Sequence, residues 1–367
     1  MSKTKADKFF FFLVLILLAT GFVIFFSASQ SLLSRDDAAG FGLVAGKQFA
    51  VLLVGLFALV IAANIPYQIY RRAAFWIFSA SIFFNLLVFL PQIGMGSGGA
   101  RRWIDFGGPF TFQPSEFLKF GFIAYAAYWL SSEKDNISSF WRGILPLLLI
   151  LAVPAVILIK EPDTGTFMVL FSAAMAMLFS SGARFKHLAI LILGSVLAVG
   201  LLAVWKPYVM HRLETFFDPS KDVLGSSYQI NQSLIAIGSG GISGRGFGQS
   251  IQKFNYLPEA IGDSIFAVLG EEFGLIGSSL LIILYAMFTI WGLRIASRVH
   301  DRFGSQLAVG LVILISAQAF INISSMLGLI PLTGVPLTFV SHGGSALIIA
   351  LIEIGIVLNI SRHQTKN

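Results

Sequence analysis

Cysteine is absent from this 367-residue chain, and charged residues are scarce at 12%. The first absence excludes a disulfide framework and any thiolate metal site. The second leaves about half of the roughly 25% that soluble domains carry. It excludes the soluble globular and disordered classes and free nucleic-acid binders. Three catalytic signatures are also missing: a glycine-rich phosphate loop ending in Lys-Ser/Thr, a His-Glu-x-x-His pair and a Gly-x-Ser-x-Gly elbow. ATP-driven transport and zinc peptidase chemistry therefore lack support. What is present is apolar, with 56% hydrophobic residues and a mean hydropathy of +0.83. The chain reads as an integral membrane protein. Its net charge of +7 fits basic cytosolic loops, and no nucleic acid is expected as a partner.

A spanning helix needs about 20 mostly apolar residues. Runs of that kind lie near 9–28, 48–65, 73–90, 116–130, 144–159, 166–181, 188–205, 264–295, 306–327 and 337–360. The expected fold is all-α and polytopic, with about ten transmembrane helices in one domain over residues 1–367. The first run follows Lys3, Lys5 and Lys8 like a signal peptide, but exceeds the usual length of about 7–15 residues for a signal core and reads as an anchor. With the N-terminus inside, the short inner segments hold Lys3, Lys5, Lys8, Arg71, Arg72, Lys134, Arg142, Arg184, Lys186, Arg294, Arg298, Arg302, Arg362 and Lys366. That density satisfies the positive-inside rule, and both termini are expected in the cytoplasm. Arg101, Arg102, Lys119, Lys160, Lys206, Arg212, Lys221, Arg245 and Lys253 fall outside or at membrane depth. Either something anionic is handled there, or long loops cross regardless of charge. The one large extracytoplasmic loop, about 206–263, is glycine-rich (Gly225, Gly238, Gly240, Gly241, Gly244, Gly246, Gly248) yet keeps apolar residues, so a folded loop on the membrane surface is expected. A second polar stretch, 94–113, holds Arg101, Arg102, Trp103 and Asp105.

Several polar residues are costly where they stand. In Gln113-Pro114-Ser115-Glu116-Phe117-Leu118-Lys119, proline suits a helix start, and Glu116 and Lys119 share a face. They form either an internal ion pair or part of a site. Asp263 follows Tyr256-Leu257-Pro258-Glu259 at the mouth of a long apolar helix. It is either an N-cap, which lowers its pKa, or a base, in which case Ser264 or free backbone must do the capping. Glu271, Glu272 and Glu353 lie deeper and either pair with polar neighbours or hold a proton or cation. Glu161-Pro162-Asp163-Thr164-Gly165-Thr166 reads as a capped re-entry into the membrane. Residues 331–345, with two prolines and three glycines, read as a broken helix lining a cavity or as close packing at Gly343 and Gly344.

In order along the chain stand Gly99-Ala100-Arg101-Arg102-Trp103-Ile104, Gln113-Pro114-Ser115-Glu116 with Lys119, Pro162-Asp163-Thr164-Gly165, Ser226-Ser227-Tyr228-Gln229, Leu257-Pro258-Glu259 with Asp263, Gly270-Glu271-Glu272, and Ser341-x-Gly343-Gly344-Ser345. This pattern resembles the SEDS family (shape, elongation, division and sporulation) over nearly the whole chain. The run from Gly248 to Glu272 is closer to the FtsW branch than to the RodA branch. Two positions depart from the family pattern: Ile261-Gly262 replaces His-Thr before the aspartate, and His342 replaces tyrosine.

The resemblance implies a peptidoglycan glycosyltransferase of the bacterial cytoplasmic membrane, with its active site on the extracytoplasmic side. It would polymerise lipid II into β-1,4 glycan strands during septal wall synthesis and release undecaprenyl pyrophosphate. A class B penicillin-binding protein and the division or elongation machinery are the implied partners. Asp263 matches the family's essential aspartate, Glu116 and Lys119 its fourth-span pair, and Arg102 its arginine before tryptophan. Glu259, Ser341, Gly343 and Gly344 join them as candidate substrate-binding residues. Arg212 and Lys253 are further candidates for facing the departing diphosphate. No tightly bound cofactor is expected; a divalent Mg or Mn is allowed for, with Glu116 and Asp263 as candidate ligands. The alternatives are a lipid II flippase, an elongation-type polymerase and a non-catalytic scaffold. A visible inverted repeat would favour the first, and none is seen.

Overall fold

The computed structural model describes residues 6–35, 38–97, 100–105, 111–133, 137, 139–218 and 226–364. Lys3, Lys5, Gly99, Lys134, Lys221, Gly225 and Lys366 lie outside the described residues. The helices are α1 (Lys8–Ser29), α2 (Ala38–Asn64), α3 (Gln68–Leu87), α4 (Pro114–Ser132), α5 (Leu145–Lys160), α6 (Thr164–Ser180), α7 (Phe185–Trp205), α8 (Pro207–Phe217), α9 (Ser226–Gly240), α10 (Ile265–Ser297), α11 (Arg302–Met326) and α12 (Gly344–Ser361). All but α8 and α9 coincide with the apolar runs in the sequence. Among the described residues, seven are long and apolar enough to cross a membrane on length and composition alone. Of the other three, α6 is apolar but short, α3 carries Arg71 and Arg72, and α4 carries Glu116 and Lys119. The chain is an integral membrane protein with an all-helical body.

Helices that are apolar all round sort by what they touch. In their most apolar stretches, 72% of α11 and 78% of α12 is buried, against 11% of α7. The first two therefore form the centre, and α7 presents its side chains outward. α2 packs on α12, α3 on α4, and α6 and α10 on α11. Close approach explains the α2–α12 seam, because a Cβ at Gly355 would meet the Leu59 carbonyl oxygen at 2.5 Å.

The last span starts later than the apolar run implies. It begins at Gly344, not near 337. Pro331 and Pro336 lack the N–H a helix needs, and Gly334 and Phe339 take φ of 69° and 72°. Residues 331–343 are thus held out of helical form. The 94–113 stretch likewise departs from an all-helical reading. It forms a small antiparallel sheet of β1 (Gly94–Ser97), β2 (Ala100–Asp105) and β3 (Thr111–Phe112), ordered β1-β2-β3. Alternation along β2 puts Arg102 on the face of Ile104, which is buried.

The glycine-rich loop has a structural cause. At Gly274 the backbone leaves helical geometry (φ 63°, ψ −160°), so α10 is two helices joined at a break. The carbonyls and amides this frees are taken by the loop. Arg245 N–H donates to Glu271 O (3.0 Å), Gly246 N–H to Glu272 O (2.9 Å), Leu275 N–H to Gly241 O (2.9 Å) and Ile276 N–H to Ile242 O (3.1 Å). Gly241, Gly244 and Gly246 all adopt positive φ to reach these positions. Loop and helix are therefore one unit, so the loop packs into a helix rather than simply resting on a surface.

Glu271 and Glu272 fasten that unit. Glu271 accepts from Ser250 Oγ (2.5 Å) and from the N–H groups of Ile251 and Gln252 (both 3.1 Å). Glu272 accepts from Ser27 Oγ of α1 and is bridged at 2.7 Å by Lys253 Nζ, whose side chain is fully buried. Lys253 Nζ also donates to the carbonyls of Ser27 (3.1 Å) and Gly248 (3.0 Å). Removing one partner of a buried pair strands the other, at a cost of about 3–5 kcal/mol. Lys253→Met is expected to lower unfolding stability in detergent by that order. Lys253→Met with Glu272→Leu should recover a large part of it, and thermal unfolding of both variants checks this.

Candidate active site

Asp263 stands immediately before α10, and the open question is what holds its carboxylate. It is not the helix cap: Ser264 occupies the N-cap position and makes no side-chain cap bond. Instead Gln229 of α9 donates its Nε2–H to Asp263 Oδ1 (3.0 Å) and to Ser264 Oγ (3.0 Å). Asn322 of α11 donates to the Asp263 carbonyl (2.7 Å) and the Val335 carbonyl (2.8 Å). Glu259 shapes the approach, with φ of 49° and a carbonyl that accepts from Gly262 N–H (2.8 Å) and Ser264 N–H (3.2 Å). The aspartate is half-buried. Burial first, and the Glu259 carboxylate second, push its pKa up to about 6 against the opposing pull of Gln229, backbone N–H and Arg212. It is a carboxylate held by one amide, mostly ionised at neutral pH and half-exposed to a ligand.

Two guanidiniums face the same region. Arg102 of β2 donates from Nε to the Glu161 carbonyl (3.1 Å) and from Nη2 to the Pro162 carbonyl. Arg212 of the amphipathic helix α8 donates from Nη1 to Thr164 Oγ1 (3.1 Å) and to the Thr333 carbonyl (3.5 Å). Asp163 caps α6, accepting from Thr166 N–H (3.0 Å) and Thr166 Oγ1 (2.8 Å). Burial, then the nearby charge of Arg102, lowers the Arg212 pKa, while Asp163, Tyr208 and Asp263 work against that. Two mutually repelling cations, one of them near the Asp263 carboxylate, form a place where added negative charge is favoured.

The segment 331–343 closes this region from the α12 side. Ser341 Oγ donates to the Gly262 carbonyl (2.7 Å) and accepts from Leu337 N–H (2.8 Å). His342 N–H donates to the Ile261 carbonyl (2.8 Å). The two departures from the family pattern therefore meet through backbone. The His342 ring stacks on Phe25 (centroids 5.8 Å apart), and burial lowers its pKa, with Lys47 adding to that. Gly334 faces Asp263, whose Oδ2 lies 3.9 Å from where a Cβ would stand. Gly343 caps α12 and Gly344 begins it.

Glu116 and Lys119 belong to a second cluster. They pair at 2.9 Å, and Lys119 Nζ donates to Gln318 Oε1. With Glu353 they line a small internal cavity between α4, α11 and α12. Gln318 Nε2 donates to the Pro336 carbonyl (3.2 Å), so α11 connects this cluster to 331–343 one turn from Asn322. Lys253 lies in neither cluster; it is the buried partner of Glu272. Among the described residues no group of three or more His, Asp or Glu side chains could hold a metal. Glu116 is taken by Lys119, while Asp263 is held by Gln229. Lying in separate clusters with partners of their own, these two do not fit a shared resident cation.

Gln229 and Asn322 were not among the candidate site residues read from sequence, although polar residues such as Gln318 and Asn322, four apart in an apolar span, are a legible signal. Glu161 and Thr333 lie in stretches read from the sequence as a turn and a broken helix, and Tyr208 carried no signal. An apolar recess opens beside Arg212 between α8, α9 and 328–332, lined by Phe216, Ile230, Leu234 and Leu332.

The family described as "Cell cycle protein", FTSW_RODA_SPOVE, matches residues 7–366. Stage V sporulation protein E of Bacillus subtilis (strain 168) is 40% identical over 365 residues, covering 99% of this chain and 98% of that protein. A probable peptidoglycan glycosyltransferase FtsW of Geobacter sp. (strain M18) is 36% identical over 358 residues, covering 98% and 97%. Among solved structures, a chain of a peptidoglycan synthase complex coordinating polymerization and crosslinking superposes with TM-score 0.80 at 26% identity, covering 99% of both chains. The Thermus thermophilus rod shape determining protein RodA does so with TM-score 0.71 at 25% identity, covering 99% and 98%. The clamp on 331–343 is directly testable. Ser341→Ala removes a donor and an acceptor, each bond being worth about 0.5–1.5 kcal/mol. Amide exchange across 331–343 is expected to quicken roughly tenfold, read by hydrogen–deuterium mass spectrometry; unchanged exchange would refute the clamp.

Proposed function

The chain belongs to the FtsW/RodA/SpoVE family, and on that premise we propose that Asp263 is the general base of a peptidoglycan glycosyltransferase that polymerises lipid II. The observation that carries the assignment is the amide-held carboxylate with Arg212 near it and Arg102 near Arg212. Asp263 takes the proton of the acceptor sugar's 4-hydroxyl. That oxygen forms a bond to the donor's anomeric carbon while the bond from that carbon to the phosphate oxygen breaks. The electron pair leaves with undecaprenyl diphosphate, and attack from the opposite face turns an α-linked donor into a β-1,4 linkage. Arg102 and Arg212 stand where the growing charge of the leaving diphosphate is stabilised. The recess beside Arg212 suits the first isoprene units of the lipid.

A base is most useful with a pKa near the working pH, and a value of about 6 suits that role. Glu259 tunes Asp263 through its charge. Ser341, Gly343 and Gly344 act by shaping 331–343 rather than by touching charge. Glu116 and Lys119 act from the interior cluster, through Gln318 and the Pro336 carbonyl. The reaction faces the extracytoplasmic side of the bacterial cytoplasmic membrane, where lipid-linked disaccharide is used. Similarity to sporulation protein E and FtsW proteins favours a septal role over elongation. The match to a chain of a synthase complex supports a class B penicillin-binding protein as crosslinking partner. A divalent cation carried by the diphosphate itself is compatible with this reading.

Reconstitution with labelled lipid II, with and without the transpeptidase partner, separates the readings. Glycan strands support the polymerase, while lipid crossing leaflets without strands would replace it with a flippase. Asp263→Asn is expected to reduce polymerisation by about 10²–10⁴-fold with thermal unfolding unchanged; wild-type rates would reject the assignment. Because the base must be ionised, turnover should rise with pH through about 6 and fall about tenfold per unit below it. Arg212→Ala should lower kcat more than it raises KM, since leaving-group charge is greatest in the transition state.

A further inference from the structure

Glu161 is the residue the mechanism above leaves unused, and it is an unusual one. It sits in the turn between α5 and α6, is 2% exposed, and its Oε1 is buried without a hydrogen-bond partner. Arg102 does not neutralise it. The guanidinium donates to the backbone carbonyls of Glu161 and Pro162, not to the carboxylate. Two other buried polar atoms close by also lack partners: Tyr208 OH, and Thr333 Oγ1, whose own carbonyl accepts from Arg212. A cluster with two guanidiniums and three unpartnered buried polar atoms is built to receive a ligand rich in acceptor oxygens.

We propose that Glu161 contacts the substrate as a neutral carboxylic acid, donating its O–H to a phosphate oxygen of the polyprenyl diphosphate, and that its ionisation ends binding at alkaline pH. This rests on the glycosyltransferase reading for the identity of the diphosphate. The charges around it fix its state. Asp163 lies on the same turn and disfavours a second negative charge; Arg102 of β2 favours it; burial outweighs both, so the pKa is pushed up to about 8. From α8, Arg212 and Tyr208 share the cluster, with the Tyr208 pKa raised by burial. Lys160 precedes it on α5 and is exposed. A protonated acid adds a donor without adding charge. The ionised form would place an anion against an anion and remove the one donor that Glu161 itself supplies.

The test uses the full-length protein in detergent and farnesyl diphosphate as probe, with affinity measured by calorimetry from pH 7 to 9.5. The terminal phosphate ionises near pH 6, so the probe's charge is constant over this window. Wild-type affinity is expected to fall by up to roughly 30-fold across it, as an acid of pKa about 8 is lost. Glu161→Gln keeps a donor of the same shape that cannot ionise, and its affinity should change less than about threefold over the same range. The ratio between the two pH values is the readout, not the level, and thermal unfolding confirms the variant is folded. A flat wild-type profile overturns the proposal. So does an equal fall in Glu161→Gln, which would assign the titration to Arg212 or another group. Lipid II polymerisation measured in parallel distinguishes the two levels. Strand synthesis with no Glu161-dependent alkaline limb sinks this inference alone. Glu161-dependent diphosphate binding without strand synthesis upholds it and sinks the glycosyltransferase reading.

Discussion

A carboxylate inside protein stays available as a base only when something other than a cation satisfies it. At Asp263 that role falls to an amide. Gln229 holds Oδ1, Asn322 holds the backbone carbonyl, and Arg212 stays at the distance of a charge rather than a bond. A direct Arg–Asp pair would drive the pKa down by 1–3 units and commit the guanidinium. Here both groups keep their capacity for a ligand. Most of the surrounding architecture serves this separation. α8 carries Arg212 to the Thr164 and Thr333 side, α9 carries Gln229, and 331–343 is tied down by Ser341.

The remaining buried charges follow the opposite logic. Lys253 and Glu272, and Lys119 and Glu116, are directly bridged and further hydrogen-bonded. Ion pairs of this kind in an apolar bundle offset each other's desolvation and fix register between elements distant in sequence. α1, the glycine-rich loop and α10 are joined by the first pair; the second lies within α4, and its Lys119 reaches α11 through Gln318. Bridged pairs set the frame, while Asp263, Arg102 and Arg212 stay unbridged by any opposite charge among the described residues.

Much of this was legible in the chain. Hydropathy located the ten apolar helices because a membrane demands length and apolarity and little else. The ordered motifs singled out Asp263 and Arg102, and the surplus of outer basic residues singled out Arg212; the fold brings Arg212 near both. Less legible was which cation goes where. Arg212 and Lys253 come from the same loop with similar credentials, yet one reaches Thr164 and the other is sealed against Glu272. Nothing in the spacing distinguishes them, because the difference arises from the break in α10. The start of α12 was misplaced for a related reason: residues 337–340 are apolar enough for a span, but the prolines and the left-handed residues before Gly344 decide the backbone. Glu161 reads as a turn residue, and the guanidinium on its carbonyl comes from β2, a strand that hydropathy does not reveal.

The break at Gly274 has a mechanical meaning. A continuous 33-residue helix would carry any tilt imposed by bilayer thickness straight to its first turn, where Asp263 begins. Two half-helices sharing one glycine joint do not. The loop is hydrogen-bonded to both halves, at Glu271 and Glu272 on one side of the joint and at Leu275 and Ile276 on the other, so a tilt imposed on the longer half is passed to the loop before it reaches the turn that carries Asp263.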